Sequence, residues 1–169
     1  KLTGLKIIVD CANGASSTVA PSVYQRAGAS VTAISATPTG WNINENCGST
    51  HLDNLISEVK KTGADIGIAH DGDADRCLLV ASNGEVIDGD YILNILATSW
   101  LEEGKLNKKT VVGTVMSNLG FIKSMESLGI KFEKTAVGDR YVLEKMLEND
   151  YTLGGEQSGH VIMRQFSNT

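Results

Sequence analysis

LKIIVDCANGA, residues 5–15, is a run of mostly apolar, β-branched side chains that ends at an Asn-Gly pair. Successive apolar residues, without alternation, are typical of a parallel strand covered on both faces. The Asn-Gly pair breaks the strand. A helix is predicted over 17–27, ended by Gly28, and a second strand over 31–34. The stretch therefore predicts the first β-α-β unit of an α/β domain.

The chain continues with a long loop, a helix and three more strands. Residues 35–50 are rich in Thr, Asn and Gly, and a loop of that length is often functional. Residues 51–62 place apolar side chains three and four positions apart, which predicts a helix. A strand is predicted over 66–69, and residues 77–81 and 85–87 flank a Ser-Asn-Gly hairpin signal. The first half is thus predicted as β-α-β-α-β closed by a hairpin.

The same pattern begins again in the second half. Helices are predicted over 91–102, 118–128 and 140–149, and strands over 110–115, 130–135 and 151–153. An Asn joins strand to helix in both halves, at Asn13 and at Asn118. We therefore predict an α/β fold of two similar domains, residues 1–88 and 89–169, with mixed, mostly parallel sheets flanked by helices.

Composition excludes several classes of function. The 169 residues carry a net charge of −5 without a basic stripe, which argues against a nucleic-acid partner. No apolar run reaches the ~20 residues of a membrane span, and no signal peptide opens the chain. Cys11, Cys47 and Cys77 form no CxxC pair and are interpreted as reduced thiols of a cytoplasmic protein. The abrupt end suggests a fragment of a longer protein.

An acidic loop, DGDADR at residues 71–76, follows the strand predicted at 66–69. Asp71, Asp73 and Asp75 stand at alternate positions, and an extended stretch would send their carboxylates the same way. Hard oxygen ligands suit Mg²⁺ or Ca²⁺. Because open α/β sheets bind ligands at the carboxyl ends of their strands, the loop is predicted to hold a cation.

Two other interpretations of this loop compete with the metal site. An EF-hand would need Gly and Glu where the chain has Arg76 and Ser82, and strands rather than helices flank the loop. A solvated acidic turn is the second alternative, although three close carboxylates repel one another when nothing neutralises them. His70 could be a further ligand, but we favour a packing or hydrogen-bonding residue at the strand end.

Four segments together resemble the α-D-phosphohexomutases. They are residues 10–15 (DCANGA), 71–76 (DGDADR), 137–141 (VGDRY) and 154–160 (GGEQSGH). The similarity covers essentially the whole chain, and the combination is specific even though each motif alone is weak. Residues 42–44 (NIN) and 47–51 (CGSTH) indicate the branch that acts on glucosamine phosphates.

The resemblance implies the second, metal-binding domain at 1–88 and the third, sugar-binding domain at 89–169 of a four-domain enzyme. The missing first domain would carry a phosphorylated serine, and the missing fourth would grip the substrate phosphate. The implied reaction interconverts glucosamine 6-phosphate and glucosamine 1-phosphate through a bisphosphate, for bacterial cell-wall synthesis. A phosphoglucomutase or phosphomannomutase is the alternative in the family. The fragment alone is expected to be an inactive module that binds Mg²⁺ and the phosphosugar substrate.

The resemblance also implies roles in the metal-binding domain. Asp71, Asp73 and Asp75 would hold Mg²⁺, with a phosphoserine oxygen as a further ligand. Arg76 would place its guanidinium against a phosphate, and an ion pair with one of the aspartates is the alternative. Ala74 departs from the usual Gly of this loop, which should restrict the turn without removing a ligand.

In the sugar-binding domain, Glu156 and Ser158 match the family's sugar loop, and a turn that caps only local backbone is the alternative. His160 is expected to support this loop. Asp139 lies where related mutases place a residue near the sugar, so it is a candidate acid or base. The sequence alone favours the alternative that Asp139 N-caps a helix starting at Arg140, itself a candidate substrate contact. Ala136 replaces a Lys that relatives often have.

Overall fold

The first unit of the computed structural model, Lys1–Ile87, is one sheet with helices on both faces; the structure describes residues 1–168. Its elements are β1 (Lys6–Asp10), α1 (Val19–Arg26), β2 (Ser30–Ile34), a 3₁₀ turn (Gly48–Thr50), α2 (Asp53–Thr62), β3 (Ile66–His70), β4 (Cys77–Ala81) and β5 (Val86–Ile87). The sheet order is β2-β1-β3-β4-β5. The pairs β1–β2 and β1–β3 are parallel, whereas β3–β4 and β4–β5 are antiparallel.

The apolar run of β1 forms a strand because both of its faces are covered. Ile7 and Val9 pack with Ala20 of α1 on one side, in a cluster that includes Ile68. Ile8 points to the other side and packs with residues of α2, including Leu55. Since alternate residues of a strand face opposite ways, a strand between two helical layers needs apolar residues in succession, as at Ile7, Ile8 and Val9.

The second unit, Asp88–Thr169, repeats this arrangement with a smaller sheet. Its elements are α3 (Gly89–Glu102), β6 (Thr110–Thr114), α4 (Leu119–Ser127), β7 (Lys131–Thr135), α5 (Asp139–Asn149), β8 (Leu153–Gly155) and β9 (Val161–Met163). The sheet order is β7-β6-β8-β9, with only β9 antiparallel. The predicted fold class is therefore confirmed: two α/β units with mixed sheets flanked by helices.

The last two strands differ from the sequence prediction. The strand predicted at 151–153 lies at Leu153–Gly155, and β9 was not predicted. The short β8 contains two glycines, which weaken a strand signal. The structure explains one of them: a Cβ on Gly154 would lie 2.7 Å from Met146 Sδ and 2.9 Å from Val142 Cγ1. Gly154 thus allows α5 to pack directly on the strand.

In each unit the connections leave the first strand of the sheet toward one edge and then continue toward the other edge. From β1 it goes outward to β2 and then returns past β1 to β3; from β6 it goes to β7 and returns to β8. The loops that follow β1 and β3, and those that follow β6 and β8, therefore diverge from one another. Such switch points are where open α/β sheets hold ligands. The acidic loop and the Gly-rich loop 154–160 each lie at one of them.

The helices and the cysteines of the described residues bear on membrane insertion and on disulfide formation. Within residues 1–168, no helix has both the length and the apolar character needed to cross a bilayer. Cys11, Cys47 and Cys77 are all free thiols. Burial raises the pKa of the Cys77 thiol to about 11, which keeps it protonated and poorly reactive at neutral pH.

Candidate functional site

The three carboxylates of the acidic loop converge. Asp71, Asp73 and Asp75 each offer one carboxylate oxygen, and these oxygens lie within 4.8 Å of one another. Asp71 is buried at the end of β3, whereas Asp73 and Asp75 are exposed. The arrangement presents a set of hard oxygen donors to solvent, which is the donor set that Mg²⁺ prefers.

The loop reaches this geometry by bending, so the predicted extended course is wrong. The Ala74 amide donates to the Asp71 carbonyl oxygen at 3.2 Å, and Ala74 has a φ of +64°. That left-handed conformation favours glycine, and an alanine pays roughly 1–2 kcal/mol for it. The chain thus keeps the turn, and all three carboxylates, with Ala at this position.

Neighbouring loops hold the acidic loop in place by close backbone contact. The Ala15 amide donates to the Gly72 carbonyl oxygen at 2.8 Å. A Cβ on Gly14 would lie 2.2 Å from that same oxygen. On the other side, a Cβ on Gly72 would meet Ile43 Cδ1 at 2.7 Å. The long loop predicted at 35–50 therefore contributes to the site as a support.

Substitution of Gly14 tests whether this contact shapes the acidic loop. We expect Gly14→Ala to destabilise the first unit by about 1–3 kcal/mol and to weaken Mg²⁺ binding, because the added methyl group must displace Gly72. Gly120→Ala is the matched control, since a Cβ there meets only Asn118 Oδ1, at 3.2 Å, among the described residues. Urea unfolding followed by amide NMR, with calorimetric Mg²⁺ titration, provides both measurements. Wild-type values for Gly14→Ala would disprove the support.

Arg76 contacts the acidic loop through both its backbone and its side chain. Its backbone amide donates to Asp71 Oδ1 at 3.1 Å. Its Nε lies 3.7 Å from Asp71 Oδ2 and 3.8 Å from Asp75 Oδ1. The guanidinium thus makes the ion pair that the sequence left as an alternative. It remains 44% exposed, so it can still contact a bound anion.

His70 is a packing residue, which confirms the favoured interpretation. Its ring stacks on Tyr24 at 6.3 Å between centroids, and Nε2 lies 3.1 Å from the Tyr24 hydroxyl. Nδ1 lies 3.3 Å from the Arg76 carbonyl oxygen. Burial lowers the pKa of His70, which favours the neutral ring. Because both nitrogens have protein partners, His70 supports the loop rather than extending the carboxylate cluster.

The second unit has a cavity of ≈ 410 Å³ at the carboxyl ends of its parallel strands. Its lining comes from the start of α3 and from the loops after β6, β7 and β8: Asp88, Thr114, Met116, Val137, Glu156, Gln157 and Ser158. The two predicted sugar-loop residues, Glu156 and Ser158, are therefore brought together. Among the described lining residues there are two carboxylates and no basic group.

Glu156 has a structural contact as well as a place in the cavity. Its Oε1 accepts a hydrogen bond from the Gly138 amide at 2.8 Å. The loop is closed by the Glu156 amide, which donates to the His160 carbonyl oxygen at 2.9 Å, and by the Gly159 amide, which donates to the Glu156 carbonyl oxygen at 3.1 Å. Ser158 is exposed at the tip, and His160 is buried beneath it. The Glu156 carboxylate thus caps backbone, but at a residue 18 positions away rather than within its own turn.

The N-cap interpretation of Asp139 is wrong. Gly138, with a φ of 130°, is the N-cap of α5, and Asp139 is the first helical residue. An exposed carboxylate there still complements the helix dipole. Arg140 pairs with Glu144 at 2.8 Å on the exposed face of α5. Neither Asp139 nor Arg140 belongs to the lining of the cavity.

Asp88 and Gln157 are among the lining residues that the sequence does not mark as site residues. Gln157 Nε2 donates to Asp88 Oδ2 at 3.1 Å, and Asp88 Oδ1 accepts from the Tyr91 amide as the N-cap of α3. The helix predicted over 91–102 begins two residues earlier, at Gly89, so the cap signal of an acidic residue just before a helix falls on Asp88. Its position beside Gln157, 69 residues away, depends on the tertiary fold.

Comparison with known families agrees with this pair of α/β units. Residues 1–84 match the model of phosphoglucomutase/phosphomannomutase alpha/beta/alpha domain II, and residues 88–169 match that of domain III. The chain therefore belongs to the phosphoglucomutase/phosphomannomutase family of phosphohexomutases.

The chain is also similar along nearly its whole length to an individual member of this family. The chain is 60% identical over 168 residues to phosphoglucosamine mutase of Bifidobacterium longum strain DJO10A, which covers 99% of this chain and 36% of the relative. It thus spans about a third of that protein's length.

Solved structures share the fold. A phosphoglucomutase/phosphomannomutase family protein from Burkholderia thailandensis superposes with a TM-score of 0.85 at 27% identity, over 95% of this chain and 35% of that one. Aspergillus fumigatus N-acetylphosphoglucosamine mutase, solved with GlcNAc-6P and magnesium, superposes with a TM-score of 0.71 at 20% identity, over 94% of this chain and 33% of that one.

Proposed function

We propose that this chain is the metal- and sugar-binding part of a mutase that interconverts glucosamine 6-phosphate and glucosamine 1-phosphate. The observation that carries the proposal is the convergence of Asp71, Asp73 and Asp75 at the end of β3, with Arg76 beside them. The 60% identity to a phosphoglucosamine mutase supports the choice of sugar. The free thiols suit the cytoplasm, where we place the protein.

The donor set of the acidic loop fits Mg²⁺. Three carboxylate oxygens lie close enough together to share one small cation, and two of the three side chains are exposed, which leaves room for further ligands. Bound there, Mg²⁺ would neutralise charge on the phosphoryl group that is transferred. Without a cation the three carboxylates repel one another, so a bound cation would also stabilise the loop.

The protein's own residues would position the substrate around this group. Arg76 lies beside the carboxylates, so its guanidinium could release Asp75 and bind a phosphoryl oxygen at the same place. Its planar guanidinium suits such a contact. Glu156 and Ser158 would hold hydroxyl groups of the sugar in the cavity. Asp139 remains a proposed acid or base, and Arg140 a proposed substrate contact. Their exposure on α5 suits groups that meet substrate from outside the cavity.

The proposal assigns the two units to the second and third domains of a longer parent. A mutase of this kind needs a phosphorylated serine, whose phosphoryl group goes to the sugar; the sugar's original phosphate then returns to the serine. We place that serine, and the fourth domain that grips the substrate phosphate, in the parts of the parent outside this chain. The chain spans 36% of the B. longum relative, which leaves ample length for both.

This division predicts that the chain folds but does not catalyse. We expect no turnover of glucosamine 1-phosphate by the purified chain, because the phosphoryl donor is missing and positioning cannot replace it. The full-length parent should convert it to glucosamine 6-phosphate in a coupled assay with Mg²⁺. Turnover by the chain alone would refute the division into domains. A parent that acts equally well on glucose 1-phosphate would indicate a phosphoglucomutase.

A further inference from the structure

The backbone of Arg76 is held on both sides of its Cα. The Arg76 amide donates to Asp71 Oδ1 at 3.1 Å, and the Arg76 carbonyl oxygen lies 3.3 Å from Nδ1 of His70. A carbonyl oxygen can only accept hydrogen bonds, so Nδ1 of His70 carries a proton and donates. The guanidinium therefore extends from a fixed point, and its Nε lies 3.7 Å from Asp71 Oδ2.

Tyr24 of α1 determines which nitrogen of His70 carries that proton. The Tyr24 hydroxyl lies 3.1 Å from Nε2, and the two rings stack with an interplanar angle of 13°. Burial raises the pKa of Tyr24 to about 12, so the hydroxyl keeps its proton at neutral pH and can donate to Nε2. In a neutral imidazole the other nitrogen is then the donor. The hydrogen bonds thus run in one direction, from Tyr24 through His70 to the Arg76 carbonyl oxygen.

This Tyr24–His70–Arg76 network joins a helix of the first unit to the end of the acidic loop. His70 is the last residue of β3 and pairs with Cys77, the first residue of β4, so the two residues bracket the loop. Tyr24 packs against the apolar cluster beneath α1, in which Ile7 and Val9 are buried. The core of the unit therefore anchors the residue from which the guanidinium extends.

We propose that Tyr24 and His70 are positioning residues of the phosphoryl-transfer site, which hold the Arg76 backbone where its guanidinium can meet a phosphoryl oxygen. Neither side chain has to touch the substrate. A misplacement of about 1 Å in a positioned group can cost on the order of 10²-fold in rate, so a single hydrogen bond to the backbone can matter. The inference rests on the proposed function, because it requires Arg76 to contact a phosphate.

Two substitutions of His70 separate its hydrogen bond from the bulk of its ring. Asn carries an amide nitrogen near the position of Nδ1 and can still donate to the Arg76 carbonyl oxygen, whereas Gln carries its amide near the position of Nε2. We expect His70→Gln to lower kcat/KM of the full-length parent for glucosamine 1-phosphate by about three- to tenfold, the effect of one lost hydrogen bond. His70→Asn should stay within about twofold of wild type. Equal losses in the two variants would overturn the inference.

Tyr24→Phe tests the other end of the network, because it keeps the stacked ring and removes only the hydroxyl. In ¹H–¹⁵N spectra of the chain labelled at its histidine nitrogens, wild-type His70 should be protonated at Nδ1 and unprotonated at Nε2 at neutral pH. Tyr24→Phe should show both tautomers, and kcat/KM of the parent should fall about two- to fivefold. Tyr151→Phe, at a buried tyrosine of the second unit, should change neither. Wild-type His70 protonated at Nε2 alone would contradict the network.

A double-variant cycle distinguishes failure of this inference from failure of the proposed function. Arg76→Gln should lower kcat/KM of the parent by at least about tenfold, since a charged contact is lost. If His70 acts through Arg76, His70→Gln should add little to the loss in the Arg76→Gln background. Losses that multiply in the double variant would overturn the positioning role while Arg76 keeps its phosphate contact. Wild-type efficiency of Arg76→Gln would instead contradict the proposed function of Arg76.

Discussion

Asp73→Asn is expected to abolish Mg²⁺ binding by this chain. Asp73 is exposed and offers one of the three clustered carboxylate oxygens, so its loss removes a ligand and a full negative charge. Wild type should bind Mg²⁺ measurably but weakly, because the proposed phosphoserine ligand lies outside the chain. We expect the variant to lose at least about tenfold in affinity, the effect of a charge-assisted contact worth roughly 1.5–3 kcal/mol. Isothermal titration calorimetry measures this directly.

Two controls make the result specific to the loop. Asp53→Asn changes an exposed aspartate of the same unit, in the first turn of α2, and should leave Mg²⁺ affinity unchanged. In the absence of metal, Asp73→Asn should be at least as stable as wild type, because one of three mutually repelling charges is gone. Mg²⁺ binding that persists unchanged in Asp73→Asn would mean that the acidic loop is not the metal site.

Glu156→Gln is expected to lower kcat/KM of the full-length parent by at least about tenfold while Mg²⁺ affinity stays near the wild-type value. The substituted side chain can still accept from the Gly138 amide, a bond of 2.8 Å in the wild type, so the loop should keep its shape. What is lost is the negative charge that a sugar hydroxyl or ammonium group would meet. Losing a charged hydrogen-bond partner typically costs ~1.5–3 kcal/mol.

Glu144→Gln is the matched control for Glu156, since Glu144 is an exposed glutamate of the same unit whose partner is Arg140 on the helix surface. It should leave kcat/KM within a factor of about two, because exposed ion pairs contribute little. Wild-type efficiency of Glu156→Gln with both glucosamine 6-phosphate and glucosamine 1-phosphate would show that loop 154–160 is only a structural turn.

Local patterns explain how much of the fold could be predicted. The unbroken apolar run of β1 predicts a strand covered on both faces, and α1 and α2 provide that cover. Carboxylates at alternate positions after β3 predict a cluster, and the cluster is present. The predicted extended path is wrong, because it overlooks the left-handed conformation of Ala74, at a position where the family usually has Gly. β9 was missed because it is only three residues long and follows a Gly-rich turn.

The candidate site was harder to predict where it depends on tertiary contacts. The sequence favours Asp139 as an N-cap, but Gly138 takes that position while its amide donates to Glu156, 18 residues away. The pairing of Gln157 with Asp88 joins the start of α3 to a loop near the end of the chain. Propensity and spacing describe neighbours along the chain and carry no information on such pairs.

The most direct test of the account is a crystal structure of the full-length parent with Mn²⁺ in place of Mg²⁺ and with glucosamine 6-phosphate. Anomalous scattering locates the metal without assumptions about its ligands. We expect a single strong peak within coordination distance of Asp71, Asp73 and Asp75, and sugar density against Glu156 and Ser158. A metal peak away from the acidic loop, or a sugar bound outside the cavity of the second unit, would contradict the central claim.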